Sequence, residues 1–222
     1  AMLAQRLAAW LSTRTAAGML LEIDLRLRPN GAAGMLVSRI GAFDSYQRES
    51  AWAWEHQALT RARFCAGDAG IGERFESIRR EVLAQGREPG KLRDDVVAMR
   101  AKMHDGHPNR STLFDLKHDQ GGMVDIEFIV QYLVLAHSAD HPQLLDNKGN
   151  IALLGRAARV GLIDEALAAA VADAYRRYRR LQHKLRLDDV EFARLEPQLV
   201  ANERNEVLTL WRQVFGANRA PG

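Results

Sequence analysis

Four charged residues share one face of a single stretch. Glu22, Asp24, Arg26 and Arg28 alternate with Leu21, Ile23, Leu25 and Leu27. A period of two predicts a strand with one buried side. Pro29 then ends it, because proline brings no N–H to a ladder. Two carboxylates followed by two guanidiniums suit a site in which a carboxylate holds a metal beside cations that hold phosphates. They suit equally a solvated strand face with cross-strand ion pairs. A second cluster surrounds Gly121-Gly122, with Lys117 before it and Asp125 and Glu127 after it. Phe114 to Lys117 reads as a short extended piece. From Met123 to Ala136 the chain is apolar almost all round, as in the central rod of a helical bundle. Asp125 and Glu127 fall in its first turn, where the helix dipole favours carboxylates. A Gly-Gly turn at a helix start can also meet a phosphate.

Other candidates are weaker. Glu55 and His56 are adjacent, so on a helix they point about 100° apart and share an ion poorly. His104 and His107 stand in a polar loop with no cysteine or third histidine at zinc spacing. The dense Trp52-Ala53-Trp54-Glu55-His56 run reads as packing for the hairpin, since aromatics bring large burial area. Tyr175 to Leu187 carries a basic helix face that would suit nucleic acid or an acidic partner, or simply water. Cys65 reads as a small core residue.

The elements that must position these residues are mostly helical. Residues 3–16 form an amphipathic helix that Gly18 can cap. Residues 19–38 read as a β-hairpin with a loop around Asn30-Gly31 and Gly34. Helical patterns follow over 41–67, 71–83, 92–103, 151–160, from Asp164 to Leu187, and over 197–216. The 222 residues hold 31 Lys and Arg against 28 Asp and Glu, a net charge of +3. That is too weak a balance to argue for nucleic acid. One cysteine rules out an internal disulfide and fits a cytoplasmic location. No run is long enough to span a membrane. The opening Ala1-Met2 suggests a piece cut from a longer protein.

Taken together, several stretches resemble the bacterial glutamine synthetase adenylyltransferases, the adenylyltransferase/adenylyl-removing enzymes. They are Leu3 to Leu7, Ser12 to Thr15, Glu22 to Pro29, Gly31 to Val37, Trp52 to Leu59, and Phe114 to Lys117 with Gly121 to Phe128. Their order and spacing over nearly the whole chain make the likeness specific. Those enzymes carry two nucleotidyltransferase units, and the Gly31 loop with the Trp-Glu-His-Gln-Ala-Leu segment is similar to the C-terminal one, which attaches AMP. The resemblance implies a mostly α fold. A helical bundle over 51–222 would follow the tail end, a helix plus β-hairpin, of a nucleotidyltransferase α/β fold over 1–50. It implies transfer of AMP from ATP to a tyrosine of glutamine synthetase, with Mg²⁺, with glutamine as effector and with the PII signalling protein as partner. Asp24 matches the third metal carboxylate. Arg26 and Arg28 would neutralise phosphate, and Lys117, Asp125 and Glu127 would approach the nucleotide.

The chain departs from the family pattern in one respect. No Gly-Ser followed by Asp-x-Asp occurs in it. The first two metal carboxylates are therefore expected upstream of residue 1, and the piece alone is expected to be inactive. The competing reading is a non-catalytic helical module that docks a protein or nucleic acid through Arg176 to Arg186. The related uridylyltransferases of PII are a further possibility, which the Trp-Glu-His segment and the Gly-Gly-x-x-Asp-Ile-Glu-Phe run argue against.

Overall fold

A computed structural model describes residues 2–16, 18–19, 23–25, 28–29, 31, 34–146 and 148–216. Nine α-helices appear among them: α1 (Met2–Ser12), α2 (Ile40–Glu49), α3 (Ala53–Leu59), α4 (Ala69–Leu83), α5 (Pro89–Asp105), α6 (Met123–His137), α7 (Asn150–Arg159), α8 (Glu165–Leu187) and α9 (Ala201–Phe215). The mostly α fold expected from the sequence is present. Two small antiparallel pairs complete it: β1 (Arg14–Thr15) with β2 (Gly18–Met19), and β3 (Phe114–Asp115) with β4 (Arg194–Leu195).

Helix starts follow side-chain chemistry. Asp68 accepts from the Ile71 N–H at 3.0 Å and Asp164 from Leu167 at 2.8 Å. Glu88 accepts from Gly90, with Pro89 at the first helical position. These bonds satisfy donors that the helix itself leaves unpaired. Asn150 lies inside α7, which begins after Gly149. Its side chain is buried and accepts from Arg61.

The centre of the molecule is α6. It packs against α3, α5, α7, α8 and α9. From Met123 to Leu135 only Glu127 and Gln131 are not buried. A helix surrounded on five sides has no solvent face to keep polar, which explains its all-round apolar sequence.

The N-terminal expectations fare differently. Ile23, Asp24 and Leu25 are not in a strand, and residues 35–38 form none either. Among the described residues the only local hairpin is Arg14–Thr15 with Gly18–Met19, and Gly18 (φ +99°) turns it rather than capping a helix. Alternation makes a strand only where a neighbouring chain pairs its backbone groups and covers its apolar side. Here Leu25 is exposed, and α1 buries no residue. Cys65 is exposed as well, not in the core.

Candidate functional site

The segment singled out for its aromatics works through its polar residues. Trp52 is exposed and Trp54 half-buried, while Glu55, His56 and Gln57 are buried. Glu55 accepts from the Trp52 N–H at 2.9 Å and from Tyr46 Oη at 2.8 Å. His56 meets the Gln47 carbonyl through Nε2 at 2.9 Å and Arg87 through Nδ1 at 3.2 Å. Gln57 donates to Gln131 Oε1 of α6 at 3.0 Å. Each polar group on α3 thus ties it to a neighbour. Burial without such partners would cost several kcal/mol per group, on the order of 2–7.

Trp54, Ala58 and Arg61 follow one another at helical spacing along and just past α3. They form a wall shared by two hollows. One, of about 350 Å³, lies toward α2 and α4 and includes Arg28. The other, of about 450 Å³, lies between α3, α5 and α6 and includes Lys117, His118, Glu127 and Gln131. Lys117 and Glu127, both expected from the sequence near the nucleotide, are brought to one hollow. Glu127 accepts from Tyr175 Oη at 2.9 Å, and burial together with this carboxylate pushes the tyrosine hydroxyl's pKa up. His118 stacks on His107, ring centroids 4.2 Å apart. Burial holds His118 neutral to lower pH than a free imidazole.

Loop 114–122 places Lys117 by a chain of short-range bonds. Asp115 is buried and accepts from the N–H groups of Lys117 (2.9 Å) and His118 (3.0 Å). Asp119 accepts from the Asp115 N–H and from Asn109, both at 2.8 Å.

Asp125 goes elsewhere. It is 3 % exposed, and both its oxygens are engaged. One accepts from Arg100 Nε at 2.5 Å, the other from the Gly121 N–H at 2.6 Å. Burial pushes the Asp125 carboxyl up, and Arg100 opposes that shift. It lines a separate hollow with Arg100, His104 and Trp211. The structure therefore does not bring Asp125 to the Lys117–Glu127 hollow.

The Gly-Gly turn has a packing cause. Gly121 sits at φ +86°, and an added Cβ would lie 2.6 Å from Arg204 Cγ and 3.0 Å from the Arg204 carbonyl. A Cβ on Gly122 would lie 2.9 Å from two carbonyl oxygens. The N–H groups of residues 121–124 bond to Asp125, Asp119, Leu116 and Lys117. No donor is left there for a phosphate, so that reading of the turn is withdrawn.

Asp24 is exposed, and Arg28 donates to the carbonyls of Gly34, at 3.2 Å, and Leu25. Arg26 lies outside the described residues. Among the described residues no three His, Cys, Asp or Glu side chains group as metal ligands. Mg²⁺ needs a well-formed oxygen cluster, so these residues do not fit it as they stand. Trp54, Gln57, Arg61 and Gln131 were not foreseen as lining. The helical spacing of Trp54, Ala58 and Arg61 was the available signal.

Residues 1–78 match a family model described as glutamate-ammonia ligase adenylyltransferase. Residues 97–210, just over half of the chain, match one described as GlnD PII-uridylyltransferase. The bifunctional glutamine synthetase adenylyltransferase/adenylyl-removing enzyme of Burkholderia mallei is 58 % identical over 220 residues, 96 % of this chain. The protein of the same name from Ralstonia nicotianae is 59 % identical over 218 residues. That from Bordetella bronchiseptica is 56 % identical over 215 residues, 97 % of this chain. The chain belongs to the glutamine synthetase adenylyltransferase family. It spans about a quarter of the length of these curated relatives. Within this family member, α3 comes from the first matched stretch, and α6 with α5 from residue 97 onward comes from the second. The hollow with Lys117 and Glu127 lies where the two meet.

Proposed function

We propose that this chain is the C-terminal part of a protein adenylyltransferase that moves AMP from ATP to a tyrosine of glutamine synthetase, and so regulates nitrogen assimilation. The observation that carries the reading is the hollow between α3, α5 and α6. It sets the Lys117 and Arg61 cations beside apolar walls at the join of the two matched stretches. The target hydroxyl attacks the α-phosphorus of ATP. A new O–P bond forms, the bond to the β-phosphate oxygen breaks, and pyrophosphate leaves. Arg28 and Lys117 offset phosphate charge, and Glu127 lines the nucleotide's hollow. Asp125 acts at one remove, holding the Gly121 turn that leads into α6. Arg26 is proposed for phosphate with Arg28. Asp24 is proposed as a catalytic metal carboxylate beside carboxylates outside this chain.

Residues 1–50 then belong to the catalytic domain and 51–222 to the helical bundle behind it. Names of the relatives support glutamine synthetase as target and ATP as substrate, and the PII-related match supports the PII protein as partner. Mg²⁺, glutamine as effector and a cytoplasmic location complete the proposal. No helix among the described residues is long and apolar enough to cross a membrane.

Label transfer tests this. Glutamine synthetase, glutamine, Mg²⁺ and α-labelled ATP are incubated with this chain, or with the same chain extended upstream. Labelling by the extended chain alone is the expected result. Labelling by the 222 residues themselves would mean that a complete metal site lies within them, and would overturn the assignment of Asp24. The second reading rests on Arg176, Arg179, Arg180, Lys184 and Arg186, all exposed on α8. A steep salt dependence of DNA binding would favour it, since counterion release scales with phosphate contacts. A shallow one is expected.

A further inference from the structure

The hollow between α3, α5 and α6 holds a feature that the nucleotide reading does not use. Gln57 donates to Gln131 Oε1 at 3.0 Å, and both line the hollow. This bond leaves one acceptor on Gln57 and the donors on Gln131. Gln57 is only 4 % exposed. Among the described residues, the buried side-chain atoms without a partner are Gln47 Oε1 and Asn150 Nδ2. The unengaged ends of the glutamine pair are not among them, so they are not sealed off from solvent, and both residues line the hollow. Turning both amides over exchanges the two ends but keeps one donor beside one acceptor. Around the pair stand Trp54, Met99, Met103 and Phe128, flat or adaptable apolar surfaces. Arg61 and Lys117, both exposed, lie on the same hollow.

We infer that this hollow takes the adenine of the nucleotide, with the Gln57–Gln131 pair bonded to its amine and adjacent ring nitrogen and the phosphates directed to Lys117 and Arg61. The inference rests on the proposed adenylyl transfer and adds which residues read the base. An adenine edge offers a donor next to an acceptor, the complement of the pair, and its faces are apolar. A volume of about 450 Å³ lies within the usual range for small-ligand pockets, about 300–1,000 Å³.

The test uses the upstream-extended enzyme with Gln57→Leu and Gln131→Leu together. The KM for ATP should rise about tenfold, the worth of two neutral hydrogen bonds. Inhibition by pyrophosphate, which has no base, should be unchanged. An unaltered KM for ATP, or an equal loss of pyrophosphate affinity, overturns the inference. If the double variant does not melt cooperatively, Gln131→Met alone decides, with a rise of about threefold expected and no rise overturning it. Adenosine titrated into the 222-residue chain gives a separate answer. Saturable quenching of tryptophan fluorescence is expected, lost in Trp54→Phe, and no binding overturns the assignment. Failure of the extended wild-type enzyme to label glutamine synthetase would instead reject the proposed function.

Discussion

At the scale of single residues, Asp125 and Lys117 separate structure from chemistry. Asp125 and Arg100 form an ion pair in which both side chains are buried. Removing one partner leaves an uncompensated charge, so Asp125→Ala should lower unfolding stability by about 3–5 kcal/mol in urea titrations. Replacing both together, as Asp125→Leu with Arg100→Met, should recover most of that loss, because well-packed apolar pairs substitute for buried ion pairs at little cost. Gly121→Ala meets two obstacles, the positive φ and the Arg204 backbone. A loss of about 2 kcal/mol or more is expected, of which the φ accounts for about 1–2. Lys117 is exposed, so its removal should leave stability unchanged. Lys117→Ala in the extended enzyme should raise the KM for ATP or lower kcat more than tenfold, and wild-type kinetics would sink the role proposed for it.

At the scale of elements, α3 is held by groups whose charge matters. His56 is 9 % exposed and bonds to the Gln47 carbonyl on one side and Arg87 on the other. Burial lowers its pKa, and the Arg87 guanidinium lowers it further. As pH falls through about 6.5 the unfolded chain takes up the proton and the folded chain does not. Stability is thus full above that pH and declines below it, by at most about 1.4 kcal/mol per pH unit for one such histidine. Urea midpoints between pH 7.5 and 5.5 should fall, and His56→Gln should flatten the fall. An unchanged slope would place the effect on His118 or His137, whose pKa values burial also lowers. None of this was legible in the sequence, because adjacent Glu, His and Gln on a short helix look solvated until three neighbours close on them. By contrast α8 was legible from Asp164 to Leu187, and α6 from a sequence apolar almost all round. Those signals are local. The β3–β4 pairing joins residues about 80 positions apart, and no local pattern in either segment names the other. The expected strand through Asp24 is not formed for the same reason: periodicity supplies one face, and a partner must supply the ladder.

At the scale of the whole molecule, the described residues among the first 38 and the helical body are built unequally. α1 buries none of its residues, and Met2, Leu3 and Trp10 are each more than two-thirds exposed, as is Met35 further on. α2 is different, since Phe43 packs on Phe75 of α4, with centroids 5.5 Å apart, and Tyr46 bonds to Glu55. Arg48 adds an ion pair to Glu81, but both ends are exposed and it adds little. Two truncations should therefore behave differently. Deleting residues 1–38 removes α1 and the exposed Met35, described apolar surface that contributes little to the core, so the urea midpoint should hold and binding of a hydrophobic dye should drop. Deleting residues 1–50 also removes α2, exposes Phe75 and leaves Glu55 without Tyr46. Losing one half-buried aromatic contact and one hydrogen bond should cost about 2–5 kcal/mol. If both deletions destabilise equally, residues 2–38 pack on the body more than their exposure indicates. If neither does, α2 belongs energetically with the segment before it, and the catalytic part ends where the proposed division at residue 50 puts it.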